Sequence, residues 1–232
     1  MTAINPSIED PEIFDMILWK PLRDAHKKKS SIIKVSPHGK YLKKIKKRIG
    51  RKRDSEFYNL AFWNELLNLY HLETGCDIYA PEPYLSQEDE LIMKYVCGTD
   101  IDRLFNSLSV TKDDLEAILT NVGQLEKIKE NENLLHTDFD LRHILVNGGL
   151  YIIDLENAKS GNGKVKEEND ILTRRIQYML ATDISAPIKK GYDSIPKKFL
   201  LFKKALSNIA QKYGSGISDY LNKRYRSNDL VV

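Results

Sequence analysis

The sequence predicts an α+β protein, with strands gathered in its first half and helices dominating its second. Three observations carry this. Residues 31–47 read as a hairpin: Ser31–Val35, a Ser36-Pro37-His38-Gly39 turn, and a return strand over 40–46. Residues 54–72 and 112–130 place apolar side chains at helical spacing. Between residues 136 and 156, a loop rich in His and Asp runs into a second hairpin turned by Asn147-Gly148-Gly149.

The elements follow in order. Asp10 to Ala25 reads as a short amphipathic helix with Ile13, Phe14, Ile17, Leu18 and Leu22 on one side. Asp10 before Pro11 is a good helix start, and Pro21 weakens the last turn. After the first hairpin, the 54–72 helix carries Phe57, Leu60, Ala61, Trp63, Leu66, Leu67 and Leu69, capped by Asp54 or Ser55 and followed by Gly75. Ala80-Pro81-Glu82-Pro83 is a stiff extended connector, and residues 90–96 form a strand. The 112–130 helix turns Leu115, Ile118, Leu119, Val122, Leu125 and Ile128 to one side. A polar loop over 159–169 precedes helices near 168–182 and 196–213, and no internal repeat is present.

Composition narrows the class. A chain of 232 residues with 41% hydrophobic and 30% charged residues can bury a substantial core and is not a disordered tail. No apolar run approaches the ~20 residues that cross a bilayer. The acidic start Ile8-Glu9-Asp10-Pro11-Glu12 does not fit a secretory signal. Two cysteines, Cys76 and Cys97, have no metal-like spacing, and a reducing cytosol is their simplest setting. Net charge is +3, yet residues 27–53 hold thirteen Lys or Arg and no Asp or Glu. The plain explanation is a solvated, charged outer face. The functional one is an anionic partner: a phosphorylated glycolipid, the inner face of a membrane or a nucleic acid.

Chemistry concentrates at the second hairpin. Ile144, Leu145 and Val146 run out, and Leu150 to Ile153 return, so Asp154 lands beside the residues that precede the hairpin. Asp138, His143 and Asp154 thus share one small volume. Two carboxylates and an imidazole there suit a divalent metal and a substrate hydroxyl.

The stretch from His136 to Glu156 resembles the catalytic core of protein-kinase-like phosphotransferases. Their pattern is His-x-Asp, four residues, a metal-binding Asn, a hairpin, then an Asp. His136, Asp138 and Asp154 match, and His143 stands at the Asn position. That departure, with Ile-Asp-Leu in place of Asp-Phe-Gly, is similar to the lipopolysaccharide kinase family (the Kdo and heptose kinase group). The resemblance implies a bilobal protein-kinase-like fold: a small β-rich N-lobe over 1–95 and a short, mainly helical C-lobe over 96–232.

It also implies roles. Asp138 would orient the acceptor hydroxyl and take its proton; His136 would brace the loop. Asp154 would bind Mg²⁺ on the phosphates of ATP, and His143 would take the second metal role, which makes Mn²⁺ acceptable too. Otherwise Asp138 and Asp154 are loop caps and His143 a packed imidazole. Asp140 stands where protein kinases often have Lys and would instead hold an acceptor hydroxyl or Arg142. Lys43, following a Tyr-Leu pair, is the expected phosphate-binding lysine, with Lys44 as the alternative because strand alternation could turn either inward. Its partner carboxylate is Glu56, or else Glu65. Met93, Lys94 and Val96 resemble the hinge whose backbone reads adenine; an ordinary buried strand would look similar. The single-Gly turn at 36–39 is a poor phosphate loop. Arg174 and Arg175 would face an anionic acceptor or a loop carboxylate.

The function so implied is ATP-dependent phosphoryl transfer to a hydroxyl of a sugar or glycolipid, with peripheral membrane contact through 27–53. A small atypical Ser/Thr protein kinase is the alternative. A third reading is a pseudokinase or basic module that binds an anionic partner without turnover. Metal-dependent ATP turnover that Asp154→Ala abolishes separates enzyme from binding module.

Overall fold

A computed structural model of the chain describes residues 3–4, 19–21, 31–46, 54–87, 90–107, 110–197 and 201–226. Two short strands, β1 (Ala3–Ile4) and β2 (Lys20–Pro21), precede the hairpin of β3 (Ser31–Val35) and β4 (Tyr41–Lys46). Helix α1 (Asp54–Thr74) follows, then β5 (Ile78–Tyr79), β6 (Pro83–Gln87) and β7 (Glu90–Lys94). Six strands form one sheet in the order β1-β6-β7-β4-β3-β2, antiparallel at each pairing. Most of the expected helix over 10–25 lies outside the described residues. Of its length, Lys20–Pro21 is an edge strand paired with β3, a position where a proline costs no ladder bond.

The hairpin turn is closed by Ser36. Its hydroxyl accepts the backbone N–H groups of Lys40 (3.2 Å) and Tyr41 (3.1 Å), while Gly39 N–H donates to its carbonyl (3.0 Å). Those amides are spent within the turn and are not turned to a phosphate.

The second half builds on β8 (Thr99–Asp100), α2 (Ile101–Asn106), α3 (Lys112–Glu132) and β9 (Leu134–Leu135). Then come β10 (Ile144–Val146), β11 (Leu150–Ile152) and β12 (Lys159–Ser160), followed by α4 (Val165–Leu180), α5 (Ser185–Ser194), α6 (Phe202–Tyr213) and α7 (Ser215–Arg226). The expected second hairpin is β10–β11, in the register Ile144↔Ile152. It sits in a four-stranded sheet, β5-β11-β10-β8, where β5 runs parallel to β11.

Helix α1 is buried along most of its length, up to Tyr70: Phe57, Leu60, Phe62, Trp63, Leu66 and Tyr70 are all almost inaccessible. Such a helix needs cover all round. The first sheet covers one side, and α6 and α7 cover another. The start of α6 is held by Glu132 of α3, whose carboxylate accepts the N–H groups of Leu201 (2.6 Å) and Phe202 (3.2 Å) and the Tyr70 hydroxyl (2.8 Å).

Helices α3 and α5 cross backbone against backbone. A Cβ on Gly123 would stand 1.9 Å from the Ile188 carbonyl oxygen, and one on Gly191 would stand 1.8 Å from that of Thr120. Neither neighbour is a movable side-chain end, so Gly123→Ala must pry the helices apart. Overpacking of this kind costs roughly 1–3 kcal/mol. At this chain length that is a fall of roughly 2–12 °C in thermal midpoint. Gly216→Ala in α7 meets nothing within 4 Å and is expected to leave the midpoint unchanged or raise it. Calorimetric melting of both variants checks the pair.

Candidate active site

The catalytic loop between β9 and β10 hangs on a buried frame. His136 is fully buried; its Nε2 meets the Ile153 carbonyl at 2.8 Å and must therefore donate to it. Burial pushes this imidazole down, so it is neutral and carries a bare Nδ1. The backbone N–H groups of His136 (3.1 Å) and Thr137 (2.7 Å) both donate to the Glu168 carboxylate on α4. Glu168 is gripped at 2.6 Å by Lys129 of α3, whose ammonium is wholly buried and also donates to Asn169 Oδ1 at 2.8 Å. Burial pulls Lys129 down while Glu168 opposes the pull. Thr137 takes a left-handed φ of 69°, which its bonds to Glu168 and, through Oγ1, to the Asn157 carbonyl help to hold.

On this frame Asp138, His143 and Asp154 converge, with one ligand atom of each within 4.8 Å of the others. His143 Nδ1 lies 2.6 Å from the Asp138 carbonyl and must donate to it. In the neutral ring Nε2 then presents a lone pair, and it faces Asp154 Oδ2 at 3.5 Å. Two acceptors turned toward one another make a gap suited to a cation, and this donor set fits a divalent ion. The carboxylates suit Mg²⁺; the imidazole shifts preference toward Mn²⁺.

The other Asp154 oxygen receives Lys44 Nζ at 2.8 Å, and the same ammonium reaches Glu56 Oε1 at 2.6 Å. Glu156 Oε2 stands 4.0 Å from it. Burial works against the Lys44 charge, but Glu56 and Asp154 outweigh it and hold the ammonium well above the ordinary lysine value. Lys44 is cationic at any working pH.

The lysine register corrects the expectation for Lys43. Its ammonium lies on the opposite face of β4, 3.1 Å from Glu90 and 4.9 Å from the centre of the Trp19 ring. Strand alternation sends neighbours to opposite faces, and α1 with Glu56 packs on the Lys44 side. Glu65, the alternative partner, accepts from Asn208 at 2.6 Å. Met93 is buried beside Leu42 of β4, while Lys94 and Val96 close β7 and begin the crossing to β8. The Lys94 N–H donates to the Glu82 carbonyl at 2.8 Å. Asp140 caps the turn before β10 and binds Arg142 (3.0 Å) and Arg175 (3.2 Å). The hydrogen bond from Arg142 holds its carboxyl at about 2.

Glu156, Lys129 and Glu168 were not singled out by sequence pattern. Glu156 could have been noticed, two residues beyond the metal-type Asp. The Lys129–Glu168 pair carries no sequence signal, because its members look like surface charges on two helices.

Beside that pair lies Glu126, which accepts from the Thr173 hydroxyl. Burial pushes its carboxyl from 4.5 up to about 7. Between those values the folded protein holds a proton that the unfolded chain has released, so this group's contribution falls as pH rises through the window. Glu126→Gln keeps an acceptor for Thr173 and is expected to flatten the decline in thermal midpoint from pH 5 to pH 7, read by scanning calorimetry.

A lysine held between a helix glutamate and the aspartate after a hairpin, above a His-x-Asp loop, defines a kinase-like phosphotransferase fold. Residues 26–182 match the RIO domain family, more than half of the chain, and the chain belongs to it. RIO-domain proteins are atypical protein kinases, and the chain is a kinase of that family. This corrects the family suggested by His143: the kinase-like superfamily stands, whereas the lipopolysaccharide kinase branch does not. Among solved structures, the chain is similar to the Rio2 kinase from Chaetomium thermophilum, at 17% identity and a TM-score of 0.46 over 89% of this chain and 74% of that one. It is also similar to the Rio2 kinase-ADP/Mg²⁺-phosphoaspartate complex from the same organism, at 15% identity and a TM-score of 0.45 over 89% and 72%. No curated protein sequence matches the chain. Among the described residues, no helix is long and apolar enough to cross a membrane.

Proposed function

We propose that the chain transfers the γ-phosphate of ATP to a Ser or Thr hydroxyl of a polypeptide, as a small atypical protein kinase. The observation that carries this is the position of Lys44 Nζ, within 2.8 Å of both Glu56 and Asp154, next to the Asp138–His143–Asp154 cluster. Lys44 would pair with the α- and β-phosphates while Glu56 holds it in place. His143 and Asp154 would hold a divalent cation, which supplies charge neutralisation at the triphosphate. Asp138 is exposed at the mouth of the site, where its carboxylate can align an acceptor hydroxyl and take its proton. Adenine would be read by the Lys94 carbonyl and the Val96 N–H beside Met93, with the division between lobes near residues 95–96. A sugar or glycolipid acceptor rested on the lipopolysaccharide kinase resemblance, and the RIO family favours a protein acceptor.

The test is transfer from γ-labelled ATP with Mg²⁺ or Mn²⁺, offered protein extract, glycolipid, free sugars or no acceptor. Label is expected on protein, with the wild-type chain and not with Asp138→Asn. Label confined to glycolipid or sugar would overturn the acceptor. Tight ATP binding with no label on any acceptor would favour the pseudokinase reading.

A further inference from the structure

The family match ends at residue 182, yet α7 (Ser215–Arg226) reaches the loop that begins at Asp154. Asp154 takes a left-handed backbone conformation, φ 61° and ψ 44°, and a tight turn over Leu155–Asn157 follows it. An aspartate tolerates that conformation better than most residues, and its surroundings decide whether the loop keeps it. Here the following carbonyls are pinned by side chains. Asn59 Nδ2 of α1 lies 2.8 Å from the Leu155 oxygen and 3.3 Å from those of Glu156 and Ala158. Arg224 Nε of α7 donates to the Ala158 oxygen at 2.8 Å.

The orientation of Asn59 is fixed in turn. The Tyr225 hydroxyl donates to Asn59 Oδ1 at 3.0 Å and accepts from Trp63 Nε1 at 3.2 Å. A flipped amide would set its oxygen against three carbonyl oxygens. Asn59 is completely buried and Tyr225 nearly so, so water does not compete for these bonds. Asn59 lies one helical turn beyond Glu56, on the helix that also supplies the partner of Lys44.

We infer that Arg224, bonding the Ala158 carbonyl directly, and Tyr225, acting through Asn59, are positioning residues for Asp154: the C-terminal helix latches the metal loop onto the helix that carries Glu56. The inference rests on the kinase reading for its functional consequence. The latch keeps the Asp154 carboxylate facing both Lys44 and His143, so loosening it should weaken binding of the metal–nucleotide complex more than binding of nucleotide alone.

The experiment uses the full chain with Tyr225→Phe, which removes one hydroxyl at nearly unchanged volume, and Arg224→Met, which keeps an aliphatic stem at this half-buried position. Lys223→Met, exposed on the same helix, is the control for surface charge. Gly123→Ala is the control for general destabilisation. Backbone hydrogen exchange over 154–158 is read without ligand, and ATP affinity is read by calorimetry with Mn²⁺ and with chelator. Exchange is expected to quicken about tenfold in both latch variants, with Mn²⁺–ATP binding about tenfold weaker and metal-free ATP binding unchanged. Neither control should show this pattern. Unchanged exchange over 154–158 and unchanged Mn²⁺–ATP affinity, with a lowered melting temperature only, would reduce α7 to ordinary packing and overturn the latch. A wild-type chain that binds no Mn²⁺–ATP would sink the kinase proposal instead. Hydrogen exchange would then decide the latch alone: faster in the variants upholds it, unchanged overturns it.

Discussion

Lys44→Met is expected to cut phosphoryl transfer by roughly 10²–10³-fold, the range seen when one preorganised electrostatic donor is lost. Lys43→Met is expected to keep the turnover rate within about threefold, because its ammonium serves Glu90 and Trp19 on the far side of the sheet. Stability must be separated from chemistry here. Glu56 is 1% exposed, and losing Lys44 leaves its carboxylate buried without that cation. Breaking a buried pair in this way costs roughly 3–5 kcal/mol. The double variant Lys44→Met/Glu56→Gln removes the stranded charge and should recover much of the melting temperature without recovering transfer. Initial rates and thermal midpoints for the three variants check this. Full activity in Lys44→Met would move the phosphate-binding role to another cation.

The two aspartates are expected to fail differently. Asp138→Asn should leave ATP binding near wild type and lower the turnover rate by roughly 10²–10⁴-fold, the usual worth of a positioned base. The loop should survive, because His143 binds the backbone carbonyl of Asp138 and not its carboxylate. Asp154→Asn should weaken metal-supported ATP binding itself. Asparagine is the informative replacement, since it tolerates the left-handed backbone at this position while giving up the charge that faces Lys44 and His143. Titrations of ATP with and without Mn²⁺, set beside single-turnover rates, separate the outcomes. Equal losses of binding in both variants would contradict the division of labour between them.

Much of this was legible in residue order. The hairpin from Ile144 to Ile153 has a length set by Asn147-Gly148-Gly149, so the return of Asp154 to His143 follows from local geometry. The 54–72 helix was legible as a dense apolar run between an Asp/Ser cap and Gly75, and Glu56 fell at its start, where the adjoining strand can reach it. The lysine was harder. Residues 43 and 44 are both Lys on a strand whose period is two, so sequence alone names the pair and not the member. The family was harder still: His143 drew the reading toward the lipopolysaccharide kinases, while the match over 26–182 places the chain with the RIO domains.

The sequence by itself determined the kinase-like plan, the His-x-Asp loop, the hairpin and the carboxylate that follows it. These depend on spacings of a few residues and on turn chemistry, which act locally. Only the tertiary structure decided that Lys44 faces inward, that Lys129 and Glu168 meet beneath the catalytic loop, and that Tyr225 bonds to Asn59 across 166 positions. The reason is physical: a strand offers both faces equally until a helix packs on one. A buried ion pair or clamp exists only where distant elements exclude water together.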